Sequence, residues 1–332
     1  MAVFTDVSVD EARQFVARLD IGRLTGLRGI HAGIHAGIEN SNFFLDTDRA
    51  GVAQHWVLTI FERLTFEQLP FYLHLMRHLA QRGIPVPEPQ PDRSGEILHR
   101  LGGKPAALVN KLSGGHQLAP DVDHCAQVGA MLARLHLAGQ DFALNQPNLR
   151  GLTWWGETVP RVRPFLRREL RNLIDSELAF QQQLAASPAF ASLPRGTIHA
   201  DLFRDNAMFD PGAVGHEKLS GLFDFYFAGV DSLSFDIAVC LNDWCIDLAS
   251  GAMADDRAQA FVAAYAELRP LTSTERRLMP ALLRAAAFRF WLSRLWDLHL
   301  PRDAALLEAH DPTHFERVLR ARVSQPWHPE TK

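Results

Sequence analysis

The sequence predicts an α+β fold of two unequal lobes, a small β-rich N-terminal lobe over 1–110 and a larger, mostly helical C-terminal lobe over 111–332. Three observations predict it. The first 110 or so residues carry short strand-like apolar runs around one long helical stripe. After "SGG" at 113–115 the apolar spacing turns helical almost throughout. A short β-rich island over 196–227 interrupts those helices and holds the chain's densest polar stretch, "IHADLFRDN" at 198–206.

Taken in order, Ser8 followed by Glu11 is a capping-box signal for a helix over 9–19. The runs "NFFLDT" (42–47) and "HWVLTIFER" (55–63) read as strands. Leu69, Leu73, Met76 and Leu79 share one stripe of a helix over 66–82. The following "IPVPEPQP" cannot be helical, because proline lacks the amide donor and restricts its predecessor. "GEILHR" and "KPAALVNKL" read as two strands around a Gly102-Gly103 turn. Beyond them, 121–139, 155–186, 254–268 and 273–298 show helical spacing. Ligands commonly sit in clefts between such units.

Composition narrows the function. Of 332 residues, 47% are hydrophobic and 22% charged, as in ordinary globular proteins. A net charge of −4 gives no basic footprint for nucleic acid. The one basic cluster, Arg161, Arg163, Arg167, Arg168 and Arg171, has the spacing of a solvated helix face. Cys125, Cys240 and Cys245 are an odd set with apolar neighbours, which reads as buried thiols in a reducing compartment. Residues 1–20 lack the pattern of a signal peptide, and the apolar run near 280–296 is broken by Arg284, Arg289 and Arg294. The expectation is a soluble, cytoplasmic protein with no nucleic-acid or membrane partner; oligomeric state is not encoded legibly.

The chemistry-bearing pattern is His199-x-Asp201-x-x-x-x-Asn206, the spacing of a protein-kinase catalytic loop. One carboxylate, Asp201, accepts the proton of an attacking hydroxyl. The Asn206 amide, brought back by the loop, binds a metal ion. His199 belongs to the same catalytic motif and braces the loop rather than reacting. A second apolar run, "LSGLFDFYFAG" (219–229), ends a strand at Asp224, where kinases carry a metal-binding Asp followed by Phe-Gly. Here the residues are Asp224-Phe225-Tyr226, so the match is to the role and not the letters.

A third piece is "GIHAGIHAGIENSNFFL" (29–45), whose glycines would let backbone approach phosphates. Its tetrapeptide Ile30-His31-Ala32-Gly33 repeats at once, an even insertion that preserves the alternation of an extended segment. His31 and His35 have the i, i+4 spacing of a metal pair, but glycines every four residues disfavour the helix that would hold it. Loop lengthening without new chemistry is the preferred reading.

With these pieces in view, the chain resembles the homoserine kinases of the choline kinase/aminoglycoside phosphotransferase superfamily. The resemblance covers most of the chain. It is carried by "AGIENSNFFL" (36–45), "VLTIFER" (57–63), "LPFYLHLMRHLAQRGIPVPEP" (69–89), "GKPAALVNKLSG" (103–114) and "GAMLARLHLAG" (129–139). "IHADLFRDNAMF" (198–209), "LSGLFDFYFAG" (219–229), "DIAVCLNDWC" (236–245) and "RFWLSRLWD" (289–297) complete it. "GIENSNFF", "GLFDFYFAG" and "CLNDWC" point to the homoserine kinase branch.

The resemblance implies a protein-kinase-like fold, with ATP between the lobes and "ALVNK" as a hinge whose backbone bonds adenine. It places Gly37, Asn40, Asn42, Arg63, Val109 and Lys111 at the nucleotide, and Mg²⁺ on Asn206 and Asp224. The implied reaction is ATP-dependent phosphorylation of the L-homoserine side-chain hydroxyl, a step in threonine synthesis. In one departure, Thr59 stands about where many members of the superfamily carry a phosphate-contacting Lys. Arg63, four residues on and so on the same face of a regular strand, either takes over that contact, with Glu67 as its partner, or is a surface arginine. For the substrate, Arg289 and Arg294 are candidates for the carboxylate and Asp205 and Asp243 for the ammonium. Asp236 reads as a brace for the catalytic loop. Two alternatives stand beside this reading: a kinase of the same fold acting on an amino alcohol or aminoglycoside, and a non-catalytic nucleotide-binding regulator.

Overall fold

The computed structural model describes residues 5–30, 40–212, 217–300 and 310–330. Gly37, His31 and His35 of the Gly-rich repeat lie outside them. The described residues fall into two compact units, those up to Leu112 and those from Ser113 onward.

The first unit is one antiparallel sheet with a helix packed on it. Helix α1 (Val9–Val16) opens with the expected capping box: the Ser8 hydroxyl accepts from Glu11 N–H, and the Glu11 carboxylate accepts from Ser8 N–H. It ends earlier than the spacing predicts. Strands β1 (Arg23–Gly29), β2 (Asn40–Arg49) and β3 (Val52–Phe61) follow. Helix α2 (Leu69–Gln81) then leads to β4 (His99–Leu101) and β5 (Lys104–Asn110), in the sheet order β1-β2-β3-β5-β4. Gly102 and Gly103 both take positive φ in the β4–β5 turn, which a side chain would oppose.

Alternation gives this sheet two different faces. Phe43, Leu45, Trp56, Leu58 and Ile60 point to one side, where Phe15 and Val16 of α1 close the core. The opposite side carries Asn40, Asn42 and Phe44 on β2, in register with Phe61, Thr59 and Val57 on β3; Val57 in turn is opposite Val109 on β5.

The second unit begins with α3 (Val122–Ala138), α4 (Leu152–Val162), α5 (Arg168–Ala185) and the short α6 (Pro188–Ala191). The single helix predicted over 155–186 is therefore broken. A 3₁₀ turn at Arg163–Phe165 intervenes, because Pro164 has no N–H to continue the ladder. The basic cluster is divided with it. Arg163 pairs with Asp175 at 2.9 Å, Arg171 donates to Leu166 O, and Arg161 lies over the Trp296 ring.

Four short strands follow: β6 (Arg195–Ile198), β7 (Ala207–Asp210), β8 (Lys218–Leu222) and β9 (Gly229–Ser232). β6 pairs with β9 and β7 with β8, both antiparallel. Helices α7 (Leu233–Trp244), α8 (Asp255–Leu268), α9 (Ser273–His299) and α10 (Thr313–Ser324) complete the unit. Every residue of α7 is buried.

Helices α3 and α8 pack along each other through Gly129. A Cβ there would lie 2.2 Å from the Phe261 carbonyl oxygen, so the two backbones approach as closely as only glycine permits. Gly129→Ala is expected to destabilise the protein by about 1–3 kcal/mol, measured by urea unfolding, because the helices must separate to admit the methyl.

Candidate active site

The two ladders of the second unit position its chemistry. The chain leaves β6 through 199–206 into β7, and leaves β8 through 223–228 into β9. Because β6 pairs with β9 and β7 with β8, the two connections are forced side by side. Asp201 and Asn206 lie on the first and Asp224 on the second. Direct bonds join them: Phe223 N–H donates to Asn206 O, and His199 Nε2 lies 2.9 Å from Phe223 O.

His199 is fully buried, and burial holds its pKa below the usual imidazole value, so the ring is neutral. A carbonyl oxygen can only accept, so Nε2 carries the hydrogen, and Nδ1 accepts from Asp201 N–H at 3.3 Å. His199 thus ties both loops together and positions Asp201 through its backbone.

Asp236, on buried α7, holds the loop from beneath. Its two carboxylate oxygens accept from His199 N–H at 2.8 Å and Ala200 N–H at 2.7 Å. His136 Nε2 lies 3.0 Å from the same carboxylate, and its Nδ1 lies 2.7 Å from the Tyr265 hydroxyl. Burial alone would raise the Asp236 carboxyl, but the His136 bond and the backbone donors hold it below the ordinary range. Trp244, at the end of the same helix, donates its indole N–H to Leu202 O.

Asp243 is also taken up here. It accepts from Arg204 N–H at 2.8 Å and Arg204 Nε at 3.1 Å, and Arg204 Nη2 donates to its carbonyl. The carboxylate expected at a substrate ammonium thus engages Arg204 through Oδ2 and holds the loop. Asp205 remains exposed.

The reacting end of the loop is strained and polar. Ala200 and Asp224 both adopt left-handed backbone, at φ 64° and 65°. Such conformations persist where surroundings over-determine them, and cluster at functional sites. Burial pushes the Asp201 carboxyl well above the usual range; Arg289 opposes the rise, while Asp224 and Asp205 add to it. Asn206 donates its amide nitrogen to Asp201 O at 2.8 Å, which leaves Oδ1 as the atom offered to a cation.

No cluster of three or more His, Cys, Asp or Glu able to hold a metal occurs among the described residues. A Mg²⁺ ion does not require one, since it is commonly held by one or two protein oxygens together with substrate phosphates. The Asp224 carboxylate, close enough to raise that of Asp201, and an oriented amide oxygen fit such an ion. Helix α9 contributes arginines to the same neighbourhood: Arg289 Nη1 lies 3.8 Å from Asp201 Oδ1, and Arg294 is influenced by Asp201, Asp205 and Asp243.

In the first unit, Thr59 donates to Asn42 Oδ1 at 2.8 Å, so the residue in the expected lysine's place orients an amide. Lys111 Nζ lies 4.7 Å from the Phe44 ring centroid, and Arg28 lies over the same ring at 5.2 Å. Lys111 N–H donates to His55 O, and Val109 bridges Pro89 on the side away from β3. The Lys111 N–H is therefore engaged within the sheet. β3 ends at Phe61, so no strand carries the alternation that put Arg63 on the face of Thr59. Glu67 accepts from the Thr65 hydroxyl at the surface.

Residues 31–271 match the phosphotransferase enzyme family. The chain belongs to that family. This phosphotransferase is 63% identical to a homoserine kinase of Polaromonas naphthalenivorans over 327 residues, covering 98% of this chain and 99% of the relative. It is 55% identical to a homoserine kinase of Cupriavidus metallidurans, over 98% of this chain and all of that one. Among solved structures, an amicoumacin kinase in complex with AMP-PNP, Ca²⁺ and Ami shares the fold. That match has a TM-score of 0.65 at 16% identity and covers 96% of this chain and 95% of that one. No helix among the described residues is long and apolar enough to cross a membrane.

Sequence reasoning overlooked His136, Tyr265, Trp244 and Arg204. Each acts through a partner remote in sequence, and only "LHLAG" at 135–139, a histidine inside a helical stripe, gave any signal.

Proposed function

We propose that this chain transfers the γ-phosphate of ATP to the side-chain hydroxyl of L-homoserine, with Mg²⁺ as the metal. The observation that carries this reading is near-full-length identity to homoserine kinases, 63% in the Polaromonas naphthalenivorans protein. The amicoumacin kinase of the same fold, solved with AMP-PNP and Ca²⁺, supports a nucleotide and a divalent cation.

Phosphoryl transfer asks a protein mainly to position groups and to offset charge. Asn206 Oδ1 and Asp224 would hold the cation, whose contribution is to neutralise phosphate oxygens. Asp201 orients the hydroxyl and takes its proton late, since a carboxylate near its unperturbed pKa of about 3.9 does not deprotonate an alcohol in the ground state. Burial makes Asp201 a stronger base than a solvated aspartate. His199 keeps Asp201 in place and exchanges no proton. In the first unit, Val57, Val109 and Phe44 offer an apolar wall to a purine. Lys111 and the Asn40 and Asn42 amides supply donors for the polar parts of the nucleotide.

The test is ADP release from Mg-ATP with L-homoserine, L-serine, choline and kanamycin as acceptors. L-Homoserine is expected to exceed each of the others by at least about 100-fold in kcat/KM. Preferential turnover of another alcohol would move the substrate and keep the reaction class. Nucleotide binding with no turnover on any alcohol would overturn the reading.

A further inference from the structure

One buried cation is only half used by the interactions described above. Arg289, in the middle of α9, is 3% exposed. Its Nη1 faces Asp201 at 3.8 Å, too long for a hydrogen bond. Its Nε and Nη2 are both buried and have no hydrogen-bond partner among the described residues. These two nitrogens form the side edge of the guanidinium, whose parallel N–H groups match the two oxygens of a carboxylate. Buried polar groups are almost always satisfied, and a charged one left open calls for a partner.

The surroundings favour an anion at that edge. Arg289 lies 4.9 Å from the Phe227 ring centroid and 3.7 Å from that of Phe290. Arg150 stands over Phe227 at 5.8 Å and over Trp154 at 4.6 Å, so two guanidiniums share one aromatic ring. Burial, opposed by Asp201 and reinforced by Arg150 and Arg294, lowers Arg289 to about 10, which keeps it charged at neutral pH. The unpaired edge is thus a positive fork beside two aromatic rings, on a guanidinium that also faces the Asp201 carboxylate.

We infer that Arg289 takes the α-carboxylate of the acceptor on its Nε–Nη2 edge, and that this contact selects an amino-acid alcohol over a carboxylate-free one. The inference rests on the homoserine reading of the same site. One guanidinium faces Asp201 with one nitrogen and the substrate carboxylate with the other two. The acceptor must therefore be short, with its carboxylate and reacting hydroxyl separated by only a few carbons. Arg150 adds positive charge to the same pocket and draws the carboxylate toward Phe227. An amino alcohol entering this pocket would leave the fork unpaired, which is the strong form of discrimination.

The experiment compares L-homoserine with 3-aminopropan-1-ol, which is homoserine without its carboxylate, in wild type, Arg289→Lys and Arg289→Gln. Wild type is expected to prefer homoserine by at least about 100-fold in kcat/KM. In Arg289→Gln that preference is expected to shrink to within about tenfold, mainly through a higher KM for homoserine. Arg289→Lys, which keeps the charge and loses the fork, should fall between. An equal loss on both acceptors, or a raised KM for ATP with the acceptor preference intact, would overturn the inference. Equal use of both alcohols by wild type would overturn it without any variant, so a variant that fails to fold does not protect it. Wild type inactive on homoserine but active on another alcohol would instead remove the homoserine reading, and this inference with it.

Discussion

Asp201→Asn is expected to lower kcat for L-homoserine by about 10²–10⁴-fold, or roughly 3–5 kcal/mol of transition-state stabilisation. The KM for ATP should change little, because the side chain is replaced by one of the same shape. Steady-state and single-turnover kinetics check this, and a loss under tenfold would remove Asp201 from the role of base. The same variant should not lose thermal stability. The folded carboxyl lies above its unfolded value, so the folded state binds its proton more tightly. Its ionisation therefore costs stability as pH rises from about 4 through the folded value. Arg289 is already counted in that balance, since the net shift is upward in spite of it. A neutral amide removes the cost, and the melting temperature at pH 7 is expected to equal or exceed that of wild type.

Asp236→Asn should do the reverse and cost about 3–5 kcal/mol of stability, the usual penalty for breaking a buried charged network from one side. The amide replaces one acceptor with a donor aimed at the backbone N–H of His199 or Ala200, and His136 loses its anionic partner. The pH dependence has a definite sign. Asp236 sits below its unfolded value, so its contribution is complete above about pH 4 and fades as pH falls through the folded value. Urea titrations should show a stability gap between wild type and variant that is constant near neutrality and narrows only below about pH 4. A gap unchanged at pH 3, or an effect under 1 kcal/mol, would mean that the loop stands without this brace. Activity should fall as well, because Ala200 is held in left-handed backbone by that carboxylate.

Local signals carried far in this chain. The Ser8–Glu11 capping box, the Gly102-Gly103 turn and the helices at 122–138 and 255–268 depend on neighbours in sequence, and each is where the pattern puts it. Strand β1 is absent from the reading because "RLTGLRG" contains two glycines and its register shifts between Leu24 and Gly26. Helix α7 escapes for the opposite reason. It is buried all round, so it has no polar face to set a 3.6-residue rhythm.

The candidate site follows the same division. The spacing around Asp201, Asn206 and Asp224 is visible because the motif is contiguous. Spacing alone could not show that Asp243 is committed to Arg204, or that His136 reaches Asp236 across 100 residues of chain.

The buried helix under the loop has a consequence for how such an enzyme can change. Asp236, Asp243 and Trp244 all project from α7, whose every side chain is enclosed, so nearly any substitution there carries a structural penalty. Arg289 and Arg294 sit on a separate helix, α9, so an exchange there leaves the bonds from Asp236 and Trp244 to the loop in place. The groups that brace the loop and the arginines beside it thus belong to different segments of the chain. If Arg289 takes the acceptor as proposed, acceptor choice can change through α9 while the brace from α7 to the loop stays in place.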